Sequence, residues 1–213
     1  RGEVNEEWSI ELEAVPVNRG AAATFRPPRV TPKPRVMGVQ SAVVVGPRGE
    51  EIYTDEHGRV KVRFHWDRLS SGDDDSSCWM RVSQSWAGGG YGSTQLPRVG
   101  HEVIVGFYDG DADCPVVVGR VHNRSQAFPV QLPRAKTRSV WRSCTTPAGD
   151  GYNELAFEDA AGQEVLSLRA QRNFDKLVLA DDLTTIGGKL ETSVRGDERH
   201  VIGGQQAIEV TGN

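Results

Sequence analysis

The sequence predicts a mainly β protein in two parts: a small five-stranded barrel, then a repetitive β-prism shared between copies of the chain. Three observations carry this expectation. Apolar and polar residues alternate at period two over several short runs, while helical spacing is scarce. Glycine is abundant, with 24 in 213 residues; it lifts a hydrophobic content of 37% toward the globular norm of about 45–50%. Finally, an apolar β-branched residue followed two places later by glycine recurs at a fixed step near the C-terminal end. The pairs are Ile186/Gly188, Val194/Gly196, Ile202/Gly204 and Val210/Gly212.

Taken in order, residues 1–36 open with Trp8, Ile10, Leu12 and Ala14 alternating with polar neighbours, as a strand does. Proline then punctuates Thr24-Phe25-Arg26-Pro27-Pro28-Arg29 and Thr31-Pro32-Lys33-Pro34, which reads as an extended, semi-rigid linker. The chain begins inside a strand pattern, so a piece of a longer protein is expected. Residues 37–123 hold five strand-like runs, at 38–45, 59–66, 78–86, 101–108 and 115–122. In the second, Val60, Val62, Phe64 and Trp66 alternate with Arg59, Lys61, Arg63 and His65, which predicts one buried face. Trp79, Val103 and Val105 extend the expected barrel core. Turn chemistry separates the runs, with Asp55-Glu56-His57-Gly58 before the second and Asp109-Gly110-Asp111 before the fifth. Five short strands with long loops at 67–77 and 87–100 suit a closed barrel of the OB type. Residues 124–150, with Pro129, Pro133 and Pro147, read as an irregular linker. From 151 to 213 the prism begins: Leu155 and Phe157, the turn Ala160-Ala161-Gly162, and a hairpin partner alternating Leu166, Leu168 and Ala170.

In the octads a β-branched residue favours extended backbone and glycine tolerates the positive φ of a corner. Short strands joined by corners enclose nothing alone, and such repeats are stable only when stacked with neighbours. Ile186, Val194, Ile202 and Val210 are therefore the expected prism core and trimer interface, with Gly188, Gly196, Gly204 and Gly212 at the turns.

The barrel carries a family's motifs. Residues 53–68, Tyr53-Thr54-Asp55-Glu56-His57-Gly58-Arg59-Val60 running on through Phe64-His65-Trp66-Asp67-Arg68, resemble the VgrG spike proteins of type VI secretion. So do Ser77-Cys78-Trp79-Met80-Arg81-Val82, Trp86-Ala87-Gly88, and the stretch Leu96-Pro97-Arg98-Val99-Gly100-His101-Glu102-Val103. Phe107, Asp109-Gly110-Asp111-Ala112-Asp113 and Gly119-Arg120-Val121-His122-Asn123 continue the match in order. The resemblance implies a homotrimer like the hub of a phage tail, with residues 1–36 ending a larger hub domain. It also implies a secreted tube protein below, a tip-capping protein and effectors above, and transient contact with a target membrane. Assembly would take place in the bacterial cytoplasm, before secretion or injection. Phage relatives insert a lysozyme domain between barrel and prism; the stretch 124–150 is too short for one.

Other chemistry is weakly supported. The second reading is an OB-type module binding single-stranded nucleic acid; a net charge of −4 argues against it, and in the second strand the basic residues lie opposite the aromatics that a stacking groove needs beside them. A cell-wall hydrolase is the third reading. Cys78, Cys114 and Cys144 form no C-x-x-C pair, and Cys78 and Cys114 read as small core residues. His101-Glu102 lacks the second histidine of a zinc protease, with Val105 in its place. Asp109-x-Asp111-x-Asp113 has Cys114 and Arg120 where a calcium loop needs glycine and glutamate. His65, Asp67 and Ser77 lack a nucleophile elbow, and Gly88-Gly89-Gly90 lacks the lysine of a phosphate loop. Arg195-Gly196-Asp197 is explained by the octad. Asn123-Arg124-Ser125 fits a glycosylation sequon that a bacterial cytosolic assembly leaves bare. No cofactor, metal or catalytic residue is expected, and no apolar run approaches the roughly 20 residues of a membrane helix.

Overall fold

A computed structural model describes residues 9–12 and 28–212. Trp8 and Ala14 of the expected first strand, and Pro27 of the linker, lie outside the described residues; Ile10 and Leu12 are exposed.

The barrel consists of β1 (Gln40–Val45), β2 (Lys61–Phe64), β3 (Arg81–Val82), β4 (Glu102–Phe107) and β5 (Pro115–Arg120). Their order is β2-β1-β4-β5-β3, antiparallel except for β3 beside β5. All five expected strands are present but shorter than their apolar runs. The two edges of the sheet meet at one bridge, where Val60 and Met80 exchange backbone hydrogen bonds of 3.0 and 2.8 Å. The sheet therefore curls upon itself around Ala42, Val44, Val60, Val62, Met80, Val103, Val105 and Val117. Each buried valine contributes about 1.5–3 kcal/mol. Gly46 lies against Tyr53, where an added Cβ would sit 2.7 Å from the Tyr53 Cβ.

Two core expectations fail. Trp66 is 66% exposed. Strand β2 ends at Phe64 in a turn closed by Asp67 N–H donating to the Phe64 carbonyl (3.1 Å), so the alternation stops before reaching the tryptophan. Trp66 instead stacks on Phe64 at 5.1 Å and donates from Nε1 to Gln40 Oε1 at 2.9 Å. Cys78 and Cys114 are exposed, because both precede their strands rather than standing in them. Trp79 is half-buried against Tyr53, with the Lys61 ammonium 5.1 Å above its ring.

A second sheet, β6 (Arg138–Arg142), β7 (Glu154–Glu158) and β8 (Val165–Arg169), is an antiparallel meander. The β7–β8 hairpin forms where the sequence places it. Strand β6 lies inside 124–150, which is therefore not linker throughout. The barrel and this sheet are stitched together at 144–148. Glu51 accepts from Thr146 Oγ1 (2.6 Å) and the Ala148 N–H (2.5 Å), and Arg98 Nη2 donates to the Cys144 carbonyl (2.8 Å).

Residues 172–212 form a separate unit with no strand, and every residue in it is exposed. Bends nevertheless fall at 179–180, 187–188, 195–196 and 203–204, the period of the octad. The octad glycines have no positive φ, contrary to the expectation that they turn corners that way, and a Cβ on Gly188, Gly196, Gly204 or Gly212 would meet nothing within 4 Å. Within one copy, nothing requires glycine there.

Candidate functional site

The residues that carry the family resemblance hold the barrel's loops. Asp55 accepts from the His57 and Arg59 N–H groups (3.0 and 2.9 Å) and from Arg59 Nε (2.6 Å), closing the turn that Gly58 enters with a φ of +68°. Burial alone would push the Asp55 carboxyl up, but these donors outweigh it and hold the group below its usual range. Asn123 donates to Glu102 Oε2 (2.7 Å) and accepts from Ser125 and Gln126, so both the nitrogen and the oxygen of the sequon amide are engaged. His101 Nδ1 accepts from the Arg98 N–H at 3.2 Å; burial, then the nearby Arg98, Arg120 and His122, push its pKa below 6.5.

None of the catalytic groupings assembles. Ser77 Oγ accepts from the Val62 N–H (2.9 Å) and donates to the Cys78 carbonyl, Asp67 caps the Leu69 and Ser70 N–H groups, and His65 is exposed. Asp111 and Asp113 hold the Lys33 ammonium at 2.6 and 2.7 Å. Those carboxylates raise the lysine pKa, and Lys33 in turn keeps Asp111 below its usual range. Beside this pair Arg35 bridges Asp111, and the Val36 N–H donates to the Gly110 carbonyl (2.8 Å), so the end of the proline-rich linker is strapped to the β4–β5 turn. Among the described residues, no three His, Cys, Asp or Glu side chains cluster as metal ligands do. Of the basic residues expected along the second strand, Arg59 is held by Asp55, and Lys61 donates to the Asp74 carbonyl at 2.5 Å.

Two surfaces within residues 138–212 are suited to assembly. The first is one face of the second sheet. The register sets Trp141 beside Leu155 and Leu168, and Ser139 beside Phe157 and Leu166. Trp141, Phe157, Leu166 and Leu168 are exposed, forming an apolar face that the described residues leave uncovered. The opposite face is ionic. Glu154, only 7% exposed, receives Arg138 at 2.9 Å and both Nε and Nη2 of Arg142. Burial would raise its pKa, but Arg142 and then Arg138 hold it down. The guanidiniums of Arg142 and Arg169 both lie over the Tyr152 ring, at 4.3 and 3.8 Å from its centre.

The second surface is the octad stripe. Ile186, Val194 and Ile202 are 48–49% exposed, whereas Leu179, Leu183, Leu190, Val201 and Ile208 are 72–93% exposed. Val178, at 42%, extends the stripe one octad earlier. Its spacing of eight before Ile186 was available in the sequence, but Ala180 in the glycine place hid it. Val210 departs from the stripe at 81%. The sequence does not reveal the sheet face, because β6 falls in the proline-punctuated stretch that reads as linker.

Comparison with known proteins finds a match for each part of the chain. Residues 49–122 match the type VI secretion system/phage-baseplate injector OB domain. Residues 139–213, containing the apolar face and all the octads, match the bacteriophage T4 gp5 C-terminal trimerisation domain. The type VI secretion system spike protein VgrG4b of Pseudomonas aeruginosa is 51% identical over 81% of the chain and 21% of its own length. VgrG5 of the same organism is 48% identical over 83% of the chain and 22% of its length. The actin cross-linking toxin VgrG1 of Vibrio cholerae is 48% identical over 85% of the chain and 16% of its length. The chain thus spans about a fifth of the curated relatives it matches. The match to a trimerisation region supports a homotrimer, and the chain belongs to the VgrG family of type VI secretion spike proteins, as the injector barrel and trimerising part of a phage-type spike.

Proposed function

We propose that this chain is the trunk of a membrane-puncturing needle, in which three copies wind their octads into one prism and carry effectors when a contractile sheath drives it forward. The observation that carries this reading is the state of residues 172–212 in a single copy: periodic, bent at every eighth residue, and everywhere exposed. Val178, Ile186, Val194 and Ile202 turn toward the common axis. The open space around Gly188, Gly196 and Gly204 leaves room for a neighbouring backbone. Hydrogen bonds that one copy lacks are made between copies, so no subunit can leave without breaking many together. A secreted tube protein below, a tip-capping protein and effectors above, and passing contact with a target membrane complete the assembly. Assembly occurs in the bacterial cytoplasm and the finished needle is exported; among the described residues, no helix is long and apolar enough to cross a membrane.

The experiment is light scattering on the chain, followed by the same measurement on Ile202→Asp. A threefold mass that the aspartate abolishes is expected, because three unpaired carboxylates would otherwise be buried side by side. A monomer at micromolar concentration, or an aspartate variant that remains trimeric, refutes the inward orientation.

A further inference from the structure

The loop between β3 and β4 has features that the barrel itself does not use. The run 83–97 carries no charged side chain, in a chain that is 25% charged. Its centre is a hairpin: Ala87 bridges Gly92, the Gly88 N–H donates to the Tyr91 carbonyl (3.0 Å), and the Ser93 N–H to the Trp86 carbonyl (2.9 Å). Trp86 and Tyr91 meet edge to face at 5.9 Å, yet each remains 65% exposed. Two glycines enforce this display. A Cβ on Gly88 would lie 2.3 Å from the Tyr91 ring, and one on Gly92 would lie 2.5 Å from the Trp86 carbonyl oxygen at a φ of +133°. The stem is satisfied internally, with Ser85 and Ser93 hydroxyls 2.9 Å apart and the Gln95 N–H donating to Gln84 Oε1 (3.0 Å). A stiff, charge-free pair of aromatics has the composition of an interface centre.

At β2's far end the barrel carries a second apolar surface. Trp66, Asp67, Arg68 and Leu69 line an open cleft of about 510 Å³. Leu69 is fully exposed, and the cleft is held in shape by Trp66 bonding to Gln40 and by Asp67 capping the turn. The Val60–Met80 bridge is antiparallel, so β2 and β3 leave it in opposite directions. A barrel therefore cannot fill its own cleft with its own hairpin. A cyclic trimer needs two different, complementary patches on each subunit, and the barrel has two. The prism holds the copies at about millimolar effective concentration, so such a contact needs little affinity of its own.

We infer that the Trp86–Tyr91 hairpin of one copy seats in the Trp66–Leu69 cleft of a second copy of this chain, making the barrels a second assembly interface. The inference rests on the trimeric reading above.

The test places a benzophenone photo-crosslinking residue at position 91 of the full chain and mixes isotopically heavy and light copies before assembly. The expected result is a heavy–light cross-link between position 91 and a peptide containing residues 66–69, lost in Leu69→Asp. Light scattering on the same sample separates the outcomes. A trimer whose position 91 stays free, or cross-links elsewhere on the partner copy, overturns the docking alone. A monomer overturns the trimer and the docking with it. Cross-linking to added phospholipid vesicles in place of a second copy also overturns it.

Discussion

Replacing Glu154 by alanine would leave the Arg138 and Arg142 guanidiniums facing each other without their carboxylate. Removing one partner from a buried pair costs about 3–5 kcal/mol, and because both arginines are partly open to water the lower end, about 3 kcal/mol, is expected. Chemical denaturation compared with Glu154→Gln, which keeps the volume and an acceptor, measures it. The pH dependence has two windows with the same sign. His101 binds its proton less readily folded than unfolded, so stability falls as pH drops from 6.5 toward its lower folded value. Glu51 is held down by its hydrogen bonds to Thr146 and Ala148. Glu154 is held down by its arginines against its burial. Both contribute stability that is present above 4.5 and lost as pH falls through their lowered folded values. The thermal midpoint should therefore decline first below 6.5 and again below 4.5, and His101→Asn should flatten only the upper decline. At this scale the sequence reveals which residues are special but not their partners. Asp55 and Asn123 stand out within the motifs, whereas the contact of Glu51 with Thr146 and Ala148 joins positions too far apart for any local pattern.

Elements were legible where one face is buried and the other wet. Val60, Val62, Val103 and Val105 lie in the core because period two forces them to one side. Trp66 continues that pattern on paper, but the Asp67 turn ends the strand first, and a turn decided by one hydrogen bond leaves no periodic trace. Strand β6 escaped for the opposite reason: both its faces read as mixed, since Arg138, Val140 and Arg142 face the ionic side and Trp141 the uncovered one. The 86–92 hairpin allows a controlled test. Gly92→Ala pairs a strained φ with a backbone clash and should cost about 1–3 kcal/mol locally. Gly89→Ala, where nothing lies within 4 Å, should be silent. Amide exchange across residues 84–95 distinguishes them: faster in the first, unchanged in the second.

At the scale of the whole molecule the octad beat was the plainest signal in the sequence, and it lies in the part that one copy cannot finish. The stripe predicts a graded response to charge. Val178→Asp and Val194→Asp should each lower the trimer fraction in light scattering, while Leu183→Asp, at a position 91% exposed and off the stripe, should leave it intact. If Leu183→Asp proved the more damaging, the stripe would have been assigned to the wrong side.

The openness of residues 172–212 in a lone chain also has a genetic consequence. When a defective allele is expressed alongside a sound one, every mixed bundle carries at least one spoiled strand. The sound yield then falls as the cube of the sound fraction rather than in proportion to it. A bacterium carrying both alleles should therefore show dominant loss, and diluting the bad message should restore function steeply.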